Sequence, residues 1–160
     1  IMISHLGKLK TVQGRNNWVV SAYTDGNRVG MELHFAGKGH VSQVNDFMKY
    51  NKELLEVSEE EMIRLILKHT GITPKASMGH NFVLLNNNVS IDDFGQHSAQ
   101  AKDSDYIPPE FSGEIIAHTK MIGGGEADTI LFLTPVKGEY NYVCSFPGHC
   151  LSMKGKLIIN

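Results

Sequence analysis

The stretch CSFPGHCLSMKG, residues 144–155, brings a thiol, an imidazole and a thioether (Cys144, His149 and Met153) within ten residues, with a second thiol at Cys150. If Cys144 closes one strand and the next begins near Lys154, all three donors share one tight loop turned by Pro147-Gly148. A fourth donor must come from elsewhere. The obvious source is His80 in MGHN, which precedes the apolar run FVLL and would be held at a strand start. Two imidazoles, one thiolate and one weak thioether form the trigonal His₂Cys set with axial Met of a mononuclear type 1 copper site. Hard, oxygen-seeking ions do not suit these donors. Zinc accepts thiolate and imidazole, but a structural zinc site seldom uses a Met. A thiol–disulfide pair of Cys144 with Cys150 is the rival reading, against which stand a spacing unlike C-x-x-C and the lack of a preceding βαβ pattern.

The elements that must position these donors read as β almost throughout. A chain of 160 residues accommodates one sizeable core. Its 15 Lys and Arg against 17 Asp and Glu give a net charge of −2 with no run of like charge, so neither a nucleic-acid groove nor a polybasic membrane patch is expected. The longest apolar runs, such as TILFL, are strand-length, and no membrane span is expected. IMISHLGK carries no export signal, so any such signal would already have been removed. NNWVVSAYTDGNRVGMELHF (16–35) reads as a hairpin turned at Asp25-Gly26, with Trp18, Val20 and Ala22 on one run and Val29, Met31 and Leu33 on the other. LLEVSEEEMIRLILKH (54–69) is mixed in period, and alternation at Ile63, Leu65 and Leu67 favours two strands with a turn at Ser58–Glu61. HNFVLLN, EIIAHTKMI, ADTILFLTP, GEYNYVCSF and GKLIIN complete the strands. Residues 90–102 give the single helix, with Ser90 as N-cap and Asp92 and Asp93 in the first turn. The expected fold is all-β, a Greek-key sandwich or barrel with one short helix and an additional N-terminal hairpin.

MGHNFVLL, DSDYIPP, IIAHTKMIGGGEADT and CSFPGHCLSMKGKLII together resemble the azurin family of cupredoxins, in order, from about residue 41 onward. The resemblance implies a copper-binding domain over 41–160; residues 1–40 have no counterpart in it and form an N-terminal extension whose hairpin, marginal by itself, is expected to dock on that domain away from the ligand loop. It implies one copper per chain on His80, Cys144, His149 and Met153, with the Gly79 carbonyl at the opposite axial position. It further implies that Asn81 ties the two ligand segments together towards Ser145, and that the Asn81 and Phe146 N–H groups point at the thiolate sulfur. The function implied is electron transfer rather than catalysis, in the periplasm or otherwise after export. The partners would be transient redox proteins such as c-type cytochromes or copper or haem reductases, with no nucleic acid, and the chain a monomer or weak dimer. The alternative is the electron-accepting copper domain of an oxidase or reductase.

The chain departs from the family pattern in places. It lacks the family's disulfide between the first strand and a later turn, having no cysteine besides Cys144 and Cys150. Phe82 replaces a common Trp. Met48, Met78, Phe146, Pro147 and Leu151 fit the family's apolar docking surface around the outer ligand histidine, while Thr73, Ser77 and Ser152 make it more polar. Cys150 follows His149 directly, so its side chain should diverge from the metal, as a free thiol near that surface. A dinuclear centre with two bridging cysteines is disfavoured because His149 lies between them. His69 reads as a packed core histidine close to the copper loop, and His118 as a surface one. His5, His34, His40 and His97 show no spacing that defines a second site, although His34 and His40 could converge in space.

Overall fold

The computed structural model describes residues 7–13, 18–25, 28–35 and 39–160. The chain divides into two compact units, Ile1–Lys38 and Gly39–Asn160. The first holds an antiparallel three-stranded sheet of β1 (Gly7–Gln13), β2 (Trp18–Asp25) and β3 (Arg28–Phe35). Pairing of β2 with β3 runs from Trp18 opposite Phe35 to Asp25 opposite Arg28, which leaves two residues for the connection. Gly26 of the expected turn lies outside the described residues, as does His5. Strand β1 was not expected, because GKLKTVQ has no apolar face long enough to announce it.

The second unit has two sheets and no closed barrel. One is ordered β5 (Leu54–Val57), β11 (Lys154–Ile159), β10 (Gly138–Val143), β7 (Val83–Leu85), β8 (Ile115–His118). The other is ordered β4 (Gly39–Val44), β6 (Met62–His69), β9 (Ala127–Leu133). Alternation decides the ambiguous 54–69 segment in favour of strands. Leu55 and Val57 of β5 and Ile63, Leu65 and Leu67 of β6 are buried while residues between them face outward, so each strand presents one apolar face to the space between the sheets. The turn between them puts Glu60 in the left-handed region at φ 55 and is tied across by Glu61 N–H donating to Thr134 Oγ1.

Phe82 is fully buried, stacks on Tyr142 at 4.8 Å and meets the edge of Tyr50 at 6.3 Å. Strand β7 is buried on both faces, with Leu84 in the main core and Val83 and Leu85 in a second, smaller one. Helix α2 (Ile91–Gln100) covers that second core with Phe94, and its N-cap is the expected one, Ser90 Oγ accepting from Asp93 N–H at 3.3 Å. The single-helix expectation is corrected by a four-residue α1 (Lys75–Met78), which begins after Pro74 and delivers the chain to Gly79-His80. No helix among the described residues is long and apolar enough to cross a membrane.

Candidate metal centre

Residues 144–153 form the connection between β10 and β11, whose pairing ends at Val143 opposite Lys154. The loop is held by its own backbone: His149 N–H donates to Phe146 O, Met153 N–H to His149 O at 2.7 Å, and Cys144 N–H to Met153 O at 3.0 Å. Gly148 makes the turn at φ +80, a conformation that costs a side-chain-bearing residue. His80 is fixed by a two-way backbone bridge with Ile122.

These two segments converge. The ligand atoms of His80, Cys144 and His149 lie within 4.8 Å of one another, the only such group of three His, Cys, Asp or Glu among the described residues. Cys144 Sγ stands 3.8 Å from His80 Nδ1 and 3.6 Å from His149 Nδ1. His80 Nε2 donates to Asn45 O at 2.8 Å, which sets the tautomer and leaves Nδ1 unprotonated on the sulfur side. Gly79 O lies 3.9 Å from Cys144 Sγ. A Cβ at Gly79 would sit 2.7 Å from Lys75 O and 2.8 Å from Met121 Cγ, so only glycine lets the backbone pass there. Met153 is 1% exposed and packs in the core cluster that contains Cys144.

Asn81 joins the two segments, donating from Nδ2 to Ser145 Oγ at 2.7 Å and accepting Ser145 N–H at Oδ1 at 2.8 Å. Burial pushes the Cys144 thiol up to about 12, and N–H groups of Asn81 and Phe146 aimed at the sulfur oppose that rise. Burial, then the neighbouring His80, brings His149 down to about 4. His80 is lowered by burial as well, against the pull of the Asn45 carbonyl. Both imidazoles are therefore neutral at neutral pH, with lone pairs available to a cation. A proton must leave Cys144 when a metal enters. Three soft or borderline donors, desolvated, convergent and already oriented, fit a copper ion, and no carboxylate competes at the cluster.

The remaining residues from the sequence fall as follows. His69 is 2% exposed and stacks on His80 at 4.8 Å; Nε2 donates to Met78 O and Nδ1 accepts Gly71 N–H, so both ring nitrogens are satisfied. His118 is exposed. Both cysteines are free. Cys150 does point away from the cluster, but it lies beneath α2 in the second core, 6% exposed, with Sγ 3.7 Å from Ile91 O. The thiol is free and lies beside Gly148 and beside Leu151 of the expected docking surface, with α2 packed against it. His149 is 4% exposed, and the Phe146 ring lies tilted against it with centroids 4.7 Å apart. Exposed apolar side chains include Phe47 at 79%, Ile72 at 91% and Leu151 at 59%, with Met48 at 37%. Phe47 and Ile72 were missed because a lone apolar residue in a polar turn carries no periodic signal.

A two-sheet sandwich in which one loop and one bridge-held histidine just ahead of β7 gather a His–Cys–His cluster beside a buried Met defines a cupredoxin. The profile of the family described as copper binding proteins, plastocyanin/azurin family, matches residues 37–160. This chain belongs to that family. It is 42% identical over 119 residues to outer membrane protein H.8 of Neisseria meningitidis serogroup B, covering 72% of this chain and 63% of that protein. It is 43% identical over 123 residues to azurin of Achromobacter denitrificans, covering 71% of this chain and 78% of the relative. Among solved structures, an azurin (Az-iso2) of Methylomonas sp. strain J superposes with a TM-score of 0.70 at 31% identity, covering 76% of this chain and 97% of that one. The chain thus spans about 63% of the length of the H.8 proteins it matches.

Proposed function

We propose that the protein is a mononuclear type 1 copper electron carrier in which His80, Cys144 and His149 would hold the ion, with Met153 as a weak further donor and the Gly79 carbonyl as a neighbour. The observation that carries this is the buried convergence of the three ligand atoms within 4.8 Å. When bound there, copper would supply a one-electron Cu(I)/Cu(II) couple. The chain's own residues do the rest. The self-bonded loop and the Asn81 bridge keep the donors in one geometry, so little rearranges between oxidation states. Burial excludes water, and Phe146, Met48 and Leu151 offer an apolar rim for brief docking. Partners of the c-type cytochrome or copper or haem reductase class suit this role, and a periplasmic or otherwise exported location is supported by the name of the outer membrane relative.

The test is a visible and EPR spectrum of the copper-loaded chain with its potential measured against Met153→Leu. That variant should keep copper and colour while the potential rises, because loss of a thioether donor weakens Cu(II) more than Cu(I). An unchanged potential would remove Met153 from the ligand set.

Residues 1–40 serve, in this reading, as an extension to the copper-binding domain of 41–160, a division supported by the two compact units and by the start of the family match at residue 37. Deleting residues 1–36 should leave the copper spectrum unchanged and lower the melting temperature. A strongly altered spectrum would show that the extension contributes to the site, and an unaltered melting temperature that it adds nothing to stability.

A further inference from the structure

A cleft of about 310 Å³ opens beside the cluster, lined by Lys75, Lys102, Asp105, Tyr106, Met121 and Phe146. Its floor is aromatic and sulfur-bearing: Tyr106 meets Phe146 edge-on at 5.4 Å, and Met121 is 3% exposed. The backbone is held out of its preferred region to build it. Asp105 and Tyr106 are consecutive left-handed residues, at φ 57 and 62, and neither is glycine. Asp105 maintains that turn through its carboxylate, which accepts from Lys75 Nζ at 2.9 Å and from Met121 N–H at 3.4 Å. Strain of this kind persists only where surrounding contacts enforce it, and it collects at binding sites. The charge at the mouth is uneven. Lys75 is neutralised by Asp105, whereas the exposed Lys102 has no ion-pair partner among the described residues.

Two contacts connect the cleft to the candidate ligands. The Phe146 ring lies tilted against that of His149 with centroids 4.7 Å apart, and Met121 abuts Gly79, whose carbonyl faces Cys144 Sγ. We propose that this cleft binds a small molecule made of a single aromatic ring bearing an anionic group, and that its occupancy is transmitted to His149 through Phe146. The volume suits one ring with one substituent. The ring packs on Tyr106 and Phe146 with the Met121 thioether at its edge, and the anion meets Lys102. The proposal concerns a ligand of the fold and does not depend on electron transfer.

The probe is 4-hydroxybenzoate, titrated into the full chain and followed by NMR, with the copper-free and Cu(I)-loaded forms run in parallel so that failure to bind metal is seen separately. Saturable shifts are expected at the Met121 methyl and at the Tyr106, Phe146 and His149 rings. Lys102→Glu, a surface change, should weaken the affinity about fivefold, and the neutral 4-hydroxybenzyl alcohol should bind the unaltered chain more weakly by a similar factor. Acetate should leave the rings unmoved. The proposal is overturned if the shifts do not saturate, if acetate reproduces them, if neither the variant nor the neutral analogue binds more weakly, or if Ile72 and Leu151 respond in place of the cleft. An unmoved His149 ring beside shifted Tyr106 and Met121 would overturn the transmission through Phe146.

Discussion

Mixed with Cu(II), the Cys144→Ser chain should stay colourless, while Cys150→Ser should colour as intensely as the unaltered protein. The intense absorption of such a site is thiolate-to-copper charge transfer, and a hydroxyl is a much poorer electron donor. The two thiols are six positions apart yet belong to different cores: Cys144 Sγ faces both imidazoles, whereas Cys150 Sγ is turned beneath α2 towards Ile91 O. Serine at 150 places a hydroxyl among Val83, Leu85, Phe94 and Val143 and should cost ~1–3 kcal/mol of stability. Its effect therefore appears in a denaturant titration and not in the spectrum. Equal loss of colour in both variants would defeat the mononuclear assignment. Because burial keeps the metal-free Cys144 protonated up to about 12, copper binding releases one proton. Above the imidazole pKa values and below that of the thiol, apparent affinity should rise about tenfold per pH unit.

The Asn81→Ala chain should lose ~2–4 kcal/mol of folding stability, a large effect for a residue that supplies no metal ligand. Asn81 and Ser145 are 0% and 1% exposed, and their two hydrogen bonds satisfy each other. Truncation strands the Ser145 N–H and hydroxyl away from water, and each unpaired group costs ~1–3 kcal/mol. The loss belongs in the urea midpoint with an unchanged slope. The same variant frees the His80 segment from the 144–153 loop, so its potential should shift and its EPR lines broaden as the ligand geometry spreads. A stability change below ~0.5 kcal/mol would mean that water replaces the amide and that the bridge is not structural.

What was legible in the sequence was whatever has a short period or a fixed chemistry. Alternation at Ile63, Leu65 and Leu67 gave β6 against a competing helical period, because the acidic SEEE is the turn and not a helix face. Ser90 with Asp92 and Asp93 marked the start of α2 through capping. The donors at 144, 149 and 153 were visible because their chemistry and spacing coincide. Pairings between distant segments left no local trace: nothing in GHVSQV or LLEV announces that β4 lies parallel to β6, or β5 parallel to β11. The burial of Cys150 depends on α2 approaching so closely that a Cβ at Gly95 would lie 3.1 Å from that of Cys150, a contact across more than fifty residues of chain. The four-residue α1 is too short for any periodicity to show.

Strand β11 lies inside its sheet, between β5 and β10, and contributes Leu157 and Ile159 to the main core. During synthesis, then, the five-stranded sheet stays split until residues 154–159 have left the ribosome. Cys144 and His149 likewise cannot be locked beside His80 before that moment, since the loop that holds them is closed on its far side by Met153 and β11. Metal can therefore be held in its final geometry only by a chain whose last strand has already been laid between β5 and β10.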